Sequence, residues 1–468
     1  GVAWLGTGAL ARFGPADFAR ADLTVDMRVL LFTLVLAIVV GVVFGLIPAV
    51  QISRSNTSEV LREGGHGSRS ESGARRLRKG LVVTEFALAL VLLAGAGLLM
   101  RTVLGLQRVD PGFVPENVLT TRVTLPASSY PDPESSRAFF GELLDRIRAL
   151  PGVLAVGTTS GVPFTGQGFT SVFNVEGYTV GEGRPEPWGD IRIVHPGLEE
   201  ALQIPLLKGR FIDATDDTSS RPVVVVDNEA VRRFWPDEEP LGKRITFNNP
   251  TDPNAVWFEV VGVVGHTLQN GLDDDIRLQV YFAFDQVGDT SANLVIRSAV
   301  DPVDLLPAVR ASVLEIDPNQ PISAPALMED LIANSLGGRR TSMFLLLLFA
   351  GVAIVLAALG IYGVMMQVVG ERTHEIGVRL TCGARGIQLV SMVMRSALML
   401  ALIGMILGLA GILALGSVIR SQLYGVAPTD PVTLVVVAFT ILVVAALSTL
   451  IPAARAARTD PTITLRQE

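Results

Sequence analysis

Glu371, Arg372, Glu375 and Arg379 stand in a short polar islet, "GERTHEIGVRLTCGARG", with a long apolar run on either side. On a helical wheel advancing about 100° per residue, the other three fall within about 100° of Glu371, so the four charges share one face. Glu375 precedes Arg379 in the favourable acid-first order at four-residue spacing. Arg372 stands three residues before Glu375, so the bases offset the repulsion between Glu371 and Glu375. Thr373, Gly377 and Leu380 occupy the opposite face, small enough to lie against headgroups or neighbouring helices, and Gly383 and Gly386 end the helix. The chemistry open to such a ridge is recognition of another protein. On composition alone, a solvated positive loop is the competing reading.

No pattern for bond-making chemistry accompanies it. A phosphate-cradling loop needs Gly-x4-Gly-Lys-Ser/Thr so that backbone amides and a lysine converge on phosphate; "PLGKRI" (Pro240–Ile245) lacks the first glycine and the hydroxyl. His66, His195, His266 and His374 lack partners at the short spacings of a zinc site. "GTTSGVPF" holds a serine among small residues without the Gly-x-Ser-x-Gly elbow. The chain reads as no enzyme, with no metal or cofactor of its own. A net charge of −7 and the lack of a basic patch interleaved with aromatics argue against nucleic acid as a partner. With Cys382 as the single cysteine, no internal disulfide forms.

The ridge needs elements to hold it, and the flanking runs supply them. Mean hydropathy is +0.46, and a bilayer core takes about 20 apolar residues in helical form. Five runs reach that length: Leu30–Val50, Leu81–Met100, Met343–Val369, Leu389–Ile419 and Val432–Ala453. Backbone polar groups in lipid must be satisfied within the segment, so these runs are expected to be helices. Only Glu85 and Arg395 place charge inside them, each near an end, which disfavours ion coupling through the membrane. Arg54 to Lys79, Arg372 to Arg385, and Arg455 to Arg466 concentrate the basic residues of three segments and mark them as cytoplasmic. The stretch from Arg101 to Thr341 and the loop "RSQLYGVAPTDP" then lie outside. Gly41-x3-Gly45 and Gly404-x3-Gly408 are either close helix contacts or ordinary membrane-helix glycines.

That topology puts Gly1 outside the membrane without Met or a signal peptide, as expected of a fragment. A repeat agrees with it. "LIPAVQISRSNTSEVLRE" (Leu46–Glu63) lies over "LIPAARAARTDPTITLRQ" (Leu450–Gln467), sharing Leu, Ile, Pro, Ala, Arg, Leu and Arg in register, with Asp26 over Asp430. The first run is thus expected to be the last helix of an earlier copy.

The outer stretch reads as mixed α/β, of a length that suits two subdomains. "ESSRAFFGELLDRIRALPGV" and "DPVDLLPAVRASVLEIDP" have helical spacing with clear stops, and "RPVVVVDNEAVRRFWP" is a β-rich run followed by a short helix. "WFEVVGVVGH", "LQVYFAF" and "ANLVIRS" are strands, while Gly181–Pro187 and Asn248–Asn254 are turns. The expected fold is an α-helical membrane protein of five transmembrane helices with a large mixed α/β extracytoplasmic domain.

"ERTHEIGVRLTCGA" resembles the Glu-Arg-x-x-Glu-Ile-Gly-x-Arg-x-x-x-Gly-Ala signature of FtsX-like, MacB-type permeases of ABC transporters. "VVVVDNEAVRRFWPDEEPLGKRI" and "FEVVGVVGH" look like that family's extracytoplasmic core, and "RRLRKGLVVTEFALALVLLAGAGLLMRTVLGLQRVDPGF" like its first helix. Thr381 and Cys382 depart from the usual Ala and aliphatic residue. The resemblance implies that Glu371, Arg372, Glu375, Ile376, Gly377, Arg379, Gly383 and Ala384 form a coupling helix, 370–384, on which a separate ATPase subunit seats. It divides the chain into the end of a preceding permease copy (1–50), a basic linker (51–79), a first helix (80–101), a MacB-like core domain (102–340) and a three-helix FtsX-like domain (341–468). It implies partners too: the ATPase, which holds ATP and magnesium, membrane lipid, a periplasmic adaptor and a second permease unit in the same full-length chain. The expected role is export or efflux from the bacterial inner membrane, the outer domain being moved by ATP hydrolysis. The alternative is a signalling scaffold that regulates an envelope enzyme and moves no substrate.

Overall fold

The computed structural model describes residues 27–28, 31–35, 38, 42, 68–178, 186–274, 276–381 and 385–457. The expected span Leu30–Val50 lies mostly outside these residues, as do the upstream half of the repeat and the segment 458–468. Two compact units emerge, 1–107 with 337–468, and 108–336. The chain enters them through α1 (Ser68–Leu106), which is helical well upstream of its apolar run.

The 108–336 unit is built on one sheet of twelve strands. Its first lobe is formed by β1 (Val118–Thr124), α2 (Pro133–Arg148) and β2 (Val153–Thr159), and the chain returns to complete it much later. Helix α2 begins where it does because the Asp132 carboxylate accepts the Ser135 N–H at 2.8 Å and Pro133 needs no amide partner. Phe139, Phe140, Leu143 and Ile147 then form its buried stripe.

Between β2 and the strand that pairs with it, the chain makes a second lobe. In chain order this comprises β3 (Phe169–Val172), β4 (Asn174–Val175), β5 (Trp188–Val194), α3 (Leu198–Leu202), β6 (Leu206–Gly209), β7 (Val223–Asp227), α4 (Asn228–Phe234), β8 (Arg244–Thr246), β9 (Phe258–Val264), β10 (Gln279–Ala283) and α5 (Phe284–Val287). The path across it is β5-β10-β7-β9-β8-β4, with β3 beside β5 and β6 beside β9. Strand β7, "VVVVD", lies between β10 and β9 and is buried along its whole length, so it shows no alternation of apolar and polar residues.

The first lobe is completed by β11 (Ser291–Ser298), α6 (Pro302–Ile316) and β12 (Ile322–Leu327), with α7 (Met328–Ser335) after it. The order β12-β1-β11-β2, all antiparallel, is that of a split βαβ repeat with the second lobe inserted at its midpoint. Each lobe has its own apolar core, one around Phe140, Leu143, Leu294 and Val309, the other around Phe173, Val224, Val260 and Phe282. The sheet runs from one to the other through the pair Thr159↔Val194.

The strap leading into β1 is fastened at several points. Leu268 donates its N–H to Pro111 O at 2.8 Å, and the buried Arg297 guanidinium donates to Val114 O, Glu116 O and Ala201 O at 2.6, 3.0 and 2.7 Å. Gly112, at φ +83°, lies so close to His266 that a Cβ there would sit 2.0 Å from the His266 carbonyl oxygen.

The other unit contains α1, α8 (Gly337–Glu371), α9 (Thr373–Thr381), α10 (Gly386–Arg420) and α11 (Pro431–Ala457). Among the described residues four helices are long and apolar enough to cross a membrane: Arg76–Leu106, Gly337–Glu371, Gly386–Gly416 and Pro431–Arg455. The sequence led us to expect a fifth at Leu30–Val50. Half of the α1 window is buried inside the protein, against 17–28% for the other three, so α1 is the central post and the rest turn broad apolar surfaces outward to lipid. Gly404 and Gly408 bring α10 onto α1: a Cβ at Gly404 would meet Phe86 Cβ at 2.6 Å, and one at Gly408 would meet Ala87 O at 2.9 Å. These are contact glycines. Gly41 and Gly45 lie outside the described residues.

Candidate functional site

The islet occupies the bend between α8 and α10. Helix α8 ends at Glu371, a single turn residue, Arg372, interrupts it, and α9 runs from Thr373 to Thr381. Within the described part of the expected 370–384 helix there is one interruption: Glu371 belongs to α8, Arg372 is the turn residue, and Glu375 and Arg379 belong to α9. Gly370, just before this interruption, has open space where a side chain would stand. The ladder is nonetheless kept across it, since Arg372 N–H donates to Val368 O at 3.2 Å and Ile376 N–H to Arg372 O at 2.9 Å.

Ile376 is 1% exposed and belongs to the same apolar cluster as Met365, Val369, Leu389 and Val393, which anchors α9 to the ends of α8 and α10. One residue earlier and three later, Glu375 and Arg379 are 44% and 48% exposed and paired at 2.5 Å. The second guanidinium nitrogen of Arg379 reaches Met392 Sδ on α10 at 3.1 Å. The arrangement is therefore an apolar root with an exposed ion pair. Arg372 is exposed as well. Gly377 lies within α9, whereas Cys382, Gly383 and Ala384 fall outside the described residues.

One connection escaped the sequence reading. Gln367 accepts from Arg78 of α1 through Oε1 and donates through Nε2 to Glu371 Oε1 at 2.9 Å, joining the central helix to the ridge. The only signal was an amide in an otherwise apolar turn. Two histidines also have partners that spacing hides. His266 Nδ1 lies 2.6 Å from the buried Asp227 carboxylate, whose pKa burial pushes up. His195 Nδ1 lies 2.6 Å from Thr158 Oγ1, with its ring stacked on Phe284. Among the described residues no group of three His, Cys, Asp or Glu side chains is placed to hold a metal ion. What the ridge offers is charge and hydrogen bonds to another surface.

Comparison with known proteins identifies two domains. Residues 86–316 match the MacB-like periplasmic core domain and residues 347–461 the FtsX-like permease C-terminal domain. The chain belongs to the FtsX-like permeases with a MacB-like periplasmic core. This FtsX-like permease is homologous to MacB and PvdT. It is 28% identical over 228 residues to the macrolide export ATP-binding/permease protein MacB of Marinobacter nauticus, covering 46% of this chain and 34% of that one. It is 26% identical over 287 residues to the pyoverdine export ATP-binding/permease protein PvdT of Pseudomonas syringae pv. tomato, covering 56% and 40%. The permease thus spans about a third to two fifths of the length of these relatives. Among solved structures, the periplasmic region of MacB from Actinobacillus actinomycetemcomitans aligns with 48% of this chain and 95% of its own, at 16% identity and TM-score 0.32. The extracellular domain of YknZ from Gram-positive bacteria aligns at 13% identity and TM-score 0.27, over 42% of this chain and 91% of that one. The FtsX-like permease is a multi-pass membrane protein with an extracytoplasmic domain.

Proposed function

We propose that this chain is the permease part of an export system of the bacterial inner membrane, driven by a separate ATPase subunit that seats on α9. The observation that carries the reading is the Glu375–Arg379 pair standing exposed on a helix that is itself rooted in the bundle through the buried Ile376. A surface of that kind receives a push without coming loose. Gln367 supports the next step, because it joins Glu371 to Arg78 of α1 by hydrogen bonds, so that movement of Glu371 bears on the central helix. Both relatives carry "export ATP-binding/permease" in their names, which favours export powered by ATP; the assignment of ATP and magnesium to a separate subunit is part of this proposal. A periplasmic adaptor and a second permease unit in a longer chain fit the same scheme.

The test is charge reversal at the ridge. Glu375→Arg should insert normally and retain its fold, yet fail to stimulate or co-purify with an ABC ATPase subunit that does so with the unaltered chain. Undisturbed coupling in that variant would refute the docking site. In liposomes holding permease and ATPase together, stimulation by a small amphiphile would favour export. Stimulation by an envelope protein alone would favour the signalling scaffold.

A further inference from the structure

At the other end of α10 from the ridge lies a groove of about 610 Å³. Ile412, Leu413 and Gly416 line one side of it, and Leu423, Val426 and Pro428, from the loop between α10 and α11, line the other. Arg420 is the one charged residue in its lining. We propose that this groove holds an acyl chain of an anionic phospholipid from the outer leaflet, with its phosphodiester on the Arg420 guanidinium.

The lining sets the chemistry of the occupant. Leu413 is 61% exposed on a helix that spans the bilayer, so the solvent it meets is lipid and not water. A groove of this volume is in the range that encloses a ligand and not just a water molecule. Gly416 faces the loop across it closely: a Cβ there would have Pro428 Cβ at 3.6 Å, so a larger side chain would fill the space.

Charge selects the headgroup. The Arg420 side chain has no hydrogen-bond or ion-pair partner among the described residues, whereas Arg101, at the same end of the bundle, is engaged by Asp430. A planar guanidinium at the membrane surface matches the paired oxygens of a phosphodiester. The loop that closes the groove is also tied to α1, through Tyr424 N–H donating to Thr102 Oγ1 at 3.3 Å and through Arg101 and Asp430. A seated lipid therefore braces this loop against the central helix. The site stands independently of ATPase docking.

Thr429→Trp, at the rim, reports occupancy in the full chain in nanodiscs, read as fluorescence beyond that of the parent chain. Dibrominated phosphatidylglycerol should quench it at about fivefold lower mole fraction than dibrominated phosphatidylcholine, the effect of one interfacial basic residue. Adding Arg420→Gln should make the two lipids equal while leaving the thermal midpoint unchanged, and adding Gly416→Leu should weaken quenching by both. Equal quenching before any change at Arg420 would mark ordinary annular lipid and overturn the proposal, as would a preference that survives Arg420→Gln. Inorganic phosphate at millimolar concentration should leave the quenching intact; displacement by it would identify a free-anion site and overturn the lipid assignment.

Discussion

Arg101, at the far end of α1 from the ridge, forms an ion pair with Asp430, the residue that caps α11. The same carboxylate accepts the Thr433 N–H and hydroxyl at 2.8 and 2.7 Å. One side chain thus starts a membrane helix and ties it to the central post. Its pKa is held below the usual carboxylate range, first by the Thr433 hydrogen bonds and then by Arg101. A depressed carboxyl contributes stability above its unfolded pKa and loses it as pH falls through the folded one, so the clasp should hold from pH 5 to 8 and fail only in stronger acid. Asp430→Ala should lower the thermal midpoint at neutral pH more than Asp430→Asn, because the amide retains an acceptor for Thr433.

Gly404 should tolerate no side chain. Gly404→Ala forces its Cβ against Phe86 Cβ and Val83 O, separating α10 from α1, and should cost about 1–3 kcal/mol in detergent unfolding. Gly363→Ala in α8, where nothing lies within 4 Å, should be neutral or slightly stabilising.

His195 makes the outer domain sensitive to acid. Burial, followed by the charge of Arg148, lowers its pKa from 6.5 to about 3. An unfolded chain takes up this proton near pH 6.5 while the folded ring refuses it until about 3, so stability is full above pH 6.5 and falls as pH drops between those values. The slope approaches about 1.4 kcal/mol per pH unit. Urea unfolding of the full chain at several pH values should show it, and His195→Gln should flatten it.

Gly112 and Gly177 separate two kinds of glycine requirement. Both have positive φ, +83° and +75°, but only Gly112 is hemmed in, by the His266 carbonyl. Gly177→Ala should cost about 1 kcal/mol for the left-handed backbone. Gly112→Ala should cost clearly more and loosen the strap, measured as faster hydrogen exchange at the Leu268 amide, which Pro111 O accepts.

Membrane helices and helix starts were legible in the sequence because their causes are local. The apolar runs name the spans, and Asp-Pro pairs at Asp132-Pro133, Asp301-Pro302 and Asp430-Pro431 each mark a capped helix start. Strands "VVVVD" and "ANLVIRS" were legible as strands, yet their neighbours were not. Sheet order depends on pairings such as Val118↔Arg297, between residues far apart in the chain. The Arg297 staple, the Asp227–His266 contact and the Gln367 bridge are hidden for the same reason. At the ridge, the pairing of Glu375 with Arg379 followed from four-residue spacing, but the interruption at Arg372 depends on how α9 seats Ile376 in the bundle.

The insertion of the second lobe has an evolutionary consequence. Its chain departs just after β2 and returns at β11, and these two strands are direct partners, with Thr159 opposite Asn293. Departure and return therefore lie about one strand spacing apart. A cassette inserted through so narrow a doorway can diverge in length and sequence while the strand order of the frame stays as it was.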